Sequence, residues 1–144
     1  MPLLNYEMKK DGPIVVIDDD ADDRQFFYKV LSSLVPNEIV LLHDSTKVVE
    51  YLLDSSCDPF LIISDISMPK INGFELRDAI IKEPEIMEKK IPFLYFTGAW
   101  NEFSFTEACK RPINGFFHKA SSLDELTEIL SDIIDYWKST DGPM

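Results

Sequence analysis

The stretch Pro13-Ile14-Val15-Val16-Ile17-Asp18-Asp19-Asp20-Ala21-Asp22-Asp23 decides how the chain is read, because an apolar run passes directly into five aspartates within six positions. The run is short, rich in β-branched residues and apolar on both alternating faces, as a strand covered on two sides must be. Four runs of the same kind follow: Ile39-Val40-Leu41-Leu42, Phe60-Leu61-Ile62-Ile63, Pro92-Phe93-Leu94-Tyr95-Phe96 and Gly115-Phe116-Phe117. Between them the apolar residues recur at helical spacing. Helices are predicted over 21–35 (Phe26, Phe27, Val30, Leu31, Leu34), 45–54 (Val48, Val49, Leu52, Leu53) and 73–83 (Phe74, Leu76, Ile80, Ile81, ended by Pro84). A fourth helix is placed at 99–110. The last carries the stripe Leu123, Leu126, Ile129, Leu130, Ile133, Ile134 and Trp137 behind a capping box, Ser122-Leu123-Asp124-Glu125. Five strands alternating with five helices make a (βα)5 chain, an α/β fold with a doubly wound parallel sheet. Right-handed crossovers put helices on both faces, and functional groups belong at the carboxyl ends of the strands.

The 144 residues include 14 Lys+Arg against 26 Asp+Glu, a net charge of −12, with 45% hydrophobic residues. That balance suits one globular domain with a real core. The division expected is an N-terminal extension over 1–12, the domain over 13–138 and a tail over 139–144. The negative charge argues against nucleic acid and against an anionic membrane, both of which need clustered Lys and Arg. Cys57 and Cys109 are too few and too far apart for a disulfide framework or a cysteine zinc site. The N-terminus lacks the order of a signal peptide, and no apolar run reaches the length of a membrane span. A cytoplasmic protein is expected, with a tail too short to bind DNA.

At the strand ends the sequence places Asp18-Asp19-Asp20-Ala21-Asp22-Asp23, then Ser64-Asp65-Ile66-Ser67-Met68-Pro69, then Thr97-Gly98, then His118-Lys119-Ala120. Carboxylates converging in one crevice repel unless a cation joins them. Oxygen ligands without His or Cys select Mg²⁺ or another hard divalent ion. A lysine opposite them suits an anionic group held against that metal, as phosphoryl chemistry requires.

These residues resemble the receiver domain of bacterial two-component response regulators over roughly 13–138. The family pattern appears as Asp18-Asp19 after the first strand, Asp65 with Met68-Pro69 and Gly73 after the third, Thr97 after the fourth and Lys119 after the fifth. The run Asp20-Ala21-Asp22-Asp23-Arg24 is also similar to small stand-alone receivers, some of which partner phytochrome-type kinases. The resemblance implies a flavodoxin-like sheet of order 2-1-3-4-5. It implies that Asp65 is the phosphoacceptor, charged by a sensor histidine kinase or a histidine phosphotransfer protein. Mg²⁺, or Mn²⁺ in its place, would be held by Asp19, Asp65 and the backbone carbonyl of Ser67, with Asp18 acting mostly through a bound water. Lys119 would neutralise the transferring group. Thr97 would move to the new phosphoryl oxygen, and Phe116 would rotate inward as the aromatic switch. Such a protein is a phosphoacceptor that assists its own phosphorylation and dephosphorylation, not an enzyme with turnover. Its output would be protein–protein, through the face of the fourth helix, fifth strand and fifth helix onto a downstream target, with a homodimer as a further form.

The sequence departs from that pattern at Lys119-Ala120, where the family has Lys-Pro with a cis bond. A cis bond without proline costs about 3–4 kcal/mol, so trans is expected here. Gly98 replaces the usual alanine and frees the loop. Ser67 and Ala99 are small at positions that help to set phosphoryl lifetime. Asp20, Asp22 and Asp23 are read as first-turn carboxylates that complement a helix dipole. Trp100, Phe103 and Phe105 do not share one helical face, so some are expected in the core and the rest at a docking face. His43 and His118 lack partners at ligand spacing. Among rivals, an Asp-nucleophile phosphohydrolase would use Asp18 and Asp20, but Asp22 stands where that family wants Thr or Val, and the chain has no room for a cap domain. A calcium loop fails because Asp23 replaces its glycine and Lys29 its glutamate. A flavin carrier fails because five aspartates repel its phosphate. A receiver-like binding module without phosphorylation is opposed by the intact acidic, hydroxyl and lysine set.

Overall fold

The computed structural model describes residues 8–98 and 100–143. Strand β1 (Ile14–Ile17) lies between β2 (Ile39–Leu42) and β3 (Leu61–Ser64), and β4 (Phe93–Thr97) and β5 (Gly115–His118) extend the sheet beyond β3. The order is β2-β1-β3-β4-β5 and every pair is parallel. Alternation along the strands divides the core into two layers. Ile14, Val16, Leu61, Ile63, Leu94 and Phe96 face α1 (Ala21–Leu34) and α6 (Leu123–Lys138). Val15, Ile17, Ile62, Phe93 and Tyr95 face α2 (Val48–Leu53), α3 (Gly73–Ile81), α4 (Pro84–Met87) and α5 (Glu102–Cys109). A strand buried on both faces must be apolar at every position, which is why these runs do not alternate in polarity.

The register decides what meets at the top of the sheet. Ile17 pairs with Ser64, so the next residues, Asp18 and Asp65, leave neighbouring strands side by side. Thr97 pairs with His118, which brings Lys119 to the same level.

Three sequence expectations are corrected. Pro84 does not simply end a helix: α3 stops at Ile81, and Pro84 opens the extra one-turn helix α4, making six α-helices among the described residues where five were expected. Proline fits there because the first helical N–H has no intrahelical partner to lose. The segment predicted as one helix over 45–54 begins as a 3₁₀ turn, Ser45–Lys47, before α2. The capping box at Ser122 is half formed: its hydroxyl accepts from the Glu125 N–H at 3.2 Å. The reciprocal arrangement occurs instead at Asn72 and Glu75. Residues 8–12 and 139–143 pack together on the domain. Met8 is buried, Lys10 Nζ donates to the Lys138 carbonyl at 2.7 Å, and Gly142 lies against Met8. Among the described residues no peptide bond is cis, so Lys119–Ala120 is trans as expected.

Gly73 shows how tightly the loop after β3 is packed. A Cβ there would sit 2.5 Å from the Asp65 carbonyl oxygen and 2.9 Å from Ile66 Cα. The Gly73 N–H donates to the Ile66 carbonyl at 2.8 Å, and the buried Tyr95 hydroxyl donates to the Gly73 carbonyl at 2.7 Å. Alanine in place of a helical glycine ordinarily stabilises by up to about 1 kcal/mol. Gly73→Ala should instead destabilise by about 1–3 kcal/mol, because backbone must move to admit the methyl. Urea unfolding measures this, and a variant more stable than the parent would show that the close approach is not a constraint.

Candidate functional site

The acidic run after β1 divides into separate tasks as α1 begins. Asp18 is 1% exposed: its Oδ1 accepts from the Asp20 N–H at 3.0 Å and its Oδ2 from Lys119 Nζ at 2.8 Å. Asp19 is exposed, at the open side of the crevice beside Asp18 and Asp65. Asp20 caps α1, accepting from the N–H groups of Asp22 at 2.8 Å and Asp23 at 3.1 Å. Arg24 turns back to donate to the Asp18 carbonyl at 2.9 Å, which fixes the start of the helix against the strand end. Asp22 remains exposed, as a carboxylate that only complements the helix dipole would be.

Asp65 is nearly buried beside Asp18. Its Oδ1 accepts from the Ile66 N–H at 2.8 Å, and its Oδ2 lies 3.2 Å from Lys119 Nζ. Thr97 is the last residue of β4, is 4% exposed, and its carbonyl accepts from the Lys119 N–H at 2.8 Å. Ser67 is exposed and lines an open depression with Asp19, Met68, Asn72 and Phe74. Among the described residues outside its chain neighbours, a Cβ on Gly98 would meet only Lys119 Cδ, at 3.9 Å, so the glycine leaves space beside the lysine stem. Ala99 lies outside the described residues.

One residue read as a plain first-turn carboxylate belongs to the site. Asp23 Oδ2 accepts from Lys119 Nζ at 2.8 Å, equal to the Asp18 contact. Ninety-six positions separate the two in sequence. The available signal was topological: α1 and α6 cover the same face, so the first turn of α1 must stand beside the loop joining β5 to α6. By contrast Asp20, the second aspartate a phosphohydrolase would need, is committed to capping α1.

Electrostatics follow from burial. Desolvation pushes the Asp18 carboxyl above its usual range against the opposing hydrogen bond from Lys119. Asp65 is pushed up in the same way by burial, countered by the Lys119 charge and reinforced by the Asp18 charge. Burial alone would lower the Lys119 ammonium, but its bonds to Asp18 and Asp23 and the Asp65 charge outweigh that and hold it above its ordinary value. Among the described residues Lys119 is the one cation within ion-pair distance of the Asp18 and Asp65 carboxylates. The pocket is therefore short of positive charge. One carboxylate oxygen from each of Asp18, Asp19 and Asp65 lies within 4.8 Å of the others. Three clustered carboxylates, with no thiolate or imidazole among them, fit a hard divalent cation.

The aromatic expectation is corrected. Trp100, Phe103 and Phe105 are 50%, 72% and 42% exposed, so none of them enters the core. Of α5 only Ala108 is buried, so the helix turns Phe103 and Phe105 away from the core, and Trp100 precedes it. Trp100 and Phe105 pack on the half-buried Phe116 at centroid distances of 6.5 and 5.5 Å, and Phe116 meets Tyr95 at 6.4 Å.

A family model described as the response regulator receiver domain matches residues 14–131. The chain is 26% identical over 133 residues to response regulator Rcp1 of Synechocystis sp., covering 88% of this chain and 89% of that protein. It is 24% identical over 121 residues to chemotaxis protein CheY1 of Helicobacter pylori, covering 84% and 95% respectively. Among solved structures, the phosphorylated cyanobacterial phytochrome response regulator RcpA is similar with a TM-score of 0.77 at 27% identity, over 89% of this chain and 94% of that one. The Mn²⁺-bound form of response regulator Rcp1 shares the fold with a TM-score of 0.75 at 22% identity, over 92% and 99%. No described helix is long and apolar enough to cross a membrane. With a family match spanning the whole sheet, and the acids, hydroxyl and lysine gathered at its carboxyl edge, the chain belongs to the response regulator receiver domain family of two-component signalling.

Proposed function

We propose that this chain accepts a phosphoryl group on Asp65 and signals through the resulting conformational change. The observation that supports this most directly is the Lys119 ammonium 3.2 Å from Asp65, in the same crevice where the Asp18, Asp19 and Asp65 oxygens cluster. An Asp65 carboxylate oxygen attacks the phosphorus of a phosphohistidine, the phosphorus–nitrogen bond breaks, and the imidazole leaves with its electron pair. The donor is a sensor histidine kinase or a histidine phosphotransfer protein. Asp18, Asp19, Asp65 and the Ser67 carbonyl would hold Mg²⁺, which supplies positive charge to the transferring oxygens. Lys119 supplies the second positive charge from the protein. The buried Asp65, held by the Ile66 N–H, presents one oxygen in a fixed direction, which is what an attacking group requires.

The readout proposed is the movement of Thr97 toward the phosphoryl oxygen with inward rotation of Phe116, a local charge change that biases a two-state element. Phe116 stands between Tyr95 and the exposed Trp100 and Phe105, so its rotation would alter the face that a downstream protein meets. The acyl phosphate hydrolyses without turnover of an external substrate, which makes the protein a phosphoacceptor instead of an enzyme.

Two outcomes check this reading. Incubation with acetyl phosphate and Mg²⁺ should add about 80 Da of hydroxylamine-labile mass to the intact chain. Asp65→Asn should abolish it, and undiminished labelling of that variant would assign the acceptor elsewhere. Separately, Mg²⁺ should raise the melting temperature, since a ligand at a hundredfold excess over its Kd adds about 2.7 kcal/mol. The exposed Asp19→Asn should lose most of that shift while folding normally. Because Asp18 and Asp65 have folded-state pKa values above their unfolded ones, the empty site takes up protons that the unfolded chain does not. The metal must displace those protons. The Mg²⁺-induced shift should therefore shrink as pH is lowered into the raised carboxyl range, and a pH-independent shift would place the ion away from Asp18 and Asp65.

A further inference from the structure

Lys119 has three N–H donors, and three carboxylates face them: Asp18 Oδ2 at 2.8 Å, Asp23 Oδ2 at 2.8 Å and Asp65 Oδ2 at 3.2 Å. Two of those donors are hydrogen-bonded, to Asp18 and Asp23, and Asp65 lies within ion-pair distance before any phosphoryl group arrives. An incoming phosphoryl oxygen competes with these partners for the ammonium, and the three are not equally held. The Asp18 and Asp65 side chains are only 2% and 10% exposed, and uncovering either without its cation leaves a desolvated charge. The Asp23 side chain is 39% exposed and sits in the first turn of α1, where water and the helix N-terminus both stabilise a free carboxylate. Asp23 and Lys119 also line one small cavity with Phe26, Phe27, Ala120 and Leu126, so apolar walls back the pair.

We propose that Asp23 is a displaceable counter-anion for Lys119, a positioning residue that occupies one of its donors until a phosphoryl oxygen takes that donor. This rests on Asp65 being the acceptor, and it adds a regulatory element to that same site. Asp23 restrains the lysine in the empty pocket and opposes an incoming anion by like charge. The rate of phosphoryl acceptance is therefore set partly by how readily the Asp23–Lys119 pair opens. Release leaves Asp23 hydrated at the helix start while Lys119 swings only its terminal amine, its stem staying beneath Gly98.

The test is the initial rate of labelling by acetyl phosphate with Mg²⁺, followed by intact mass. In that reaction the bond from phosphorus to the acetate oxygen breaks, the bond to an Asp65 oxygen forms and acetate leaves. Asp23→Asn, which keeps shape and removes charge, should label about two- to fivefold faster than the parent, the size expected for a partly exposed ion pair. Asp23→Ala should do the same, so the result does not depend on one variant folding. Asp23→Glu, which restores the charge on a longer stem, should return the rate toward that of the parent. The advantage of the Asn variant should narrow as salt rises, because screening weakens the repulsion that the substitution removes. A merely structural Asp23 would change the melting temperature without this salt dependence or Glu rescue. If the parent is labelled and both neutral variants match it or label more slowly, the role of Asp23 is overturned while the acceptor reading stands. If the parent itself takes no label on Asp65, both fall together.

Discussion

A single ammonium organises the top of this sheet. Lys119 reaches from the end of β5 to carboxylates at the ends of β1 and β3 and to the first turn of α1. Without it, two nearly buried carboxylates would face each other unpaired, and breaking a buried pair of this kind typically costs about 3–5 kcal/mol. Even with Lys119 in place, burial keeps Asp18 and Asp65 above their ordinary pKa values, and one ammonium faces three carboxylates, so the pocket stays short of positive charge. That shortage is a functional asset. It suits the crevice to a divalent ion, and in the function proposed above the ion and the lysine together would give an arriving phosphoryl group two positive charges to settle between. A pocket neutralised completely by the protein would have no affinity to spare for either.

The same strand ends connect the crevice to the protein's edge. Gly73 packs against the Asp65 backbone, the Tyr95 hydroxyl bonds to Gly73, and the Tyr95 ring meets Phe116. Phe116 in turn carries Trp100 and Phe105, which are exposed. Packed side chains of this kind have discrete arrangements and do not deform continuously. A change in the loops around Asp65 and Thr97 therefore has a contiguous physical route to an aromatic surface. Conspicuously apolar rings in water, on a chain with a net charge of −12, are where contact with another protein would remove the most unfavourable surface.

Much of this was legible before any coordinates. The five apolar runs became the five strands within a residue or two, because a doubly covered strand leaves no choice of polarity. Asp18, Asp65, Thr97 and Lys119 were placed at the carboxyl ends, and the register brings three of those side chains, Asp18, Asp65 and Lys119, together. Other features were not legible. Pro84 reads locally as a stop, and only the packing of α4 beneath α3 shows that it is also a start. Trp100, Phe103 and Phe105 read as partial core because they do not share one helical face, yet only Ala108 of α5 is buried and all three rings stay exposed.

Asp23 marks the boundary most sharply. The local pattern determined that aspartates open α1, since a strand followed by Asp20-Ala21-Asp22-Asp23 satisfies the free N–H groups of a helix start from within four residues. It equally determined an acidic crevice at the carboxyl edge, because strand direction and alternation are written in neighbouring residues. Which of those aspartates looks inward was decided only when α1 and α6 docked on one face and brought Lys119 beside the first turn. Contacts within a few residues are fixed by covalent geometry and periodicity; a bond between residues ninety-six apart exists only once the layers have packed.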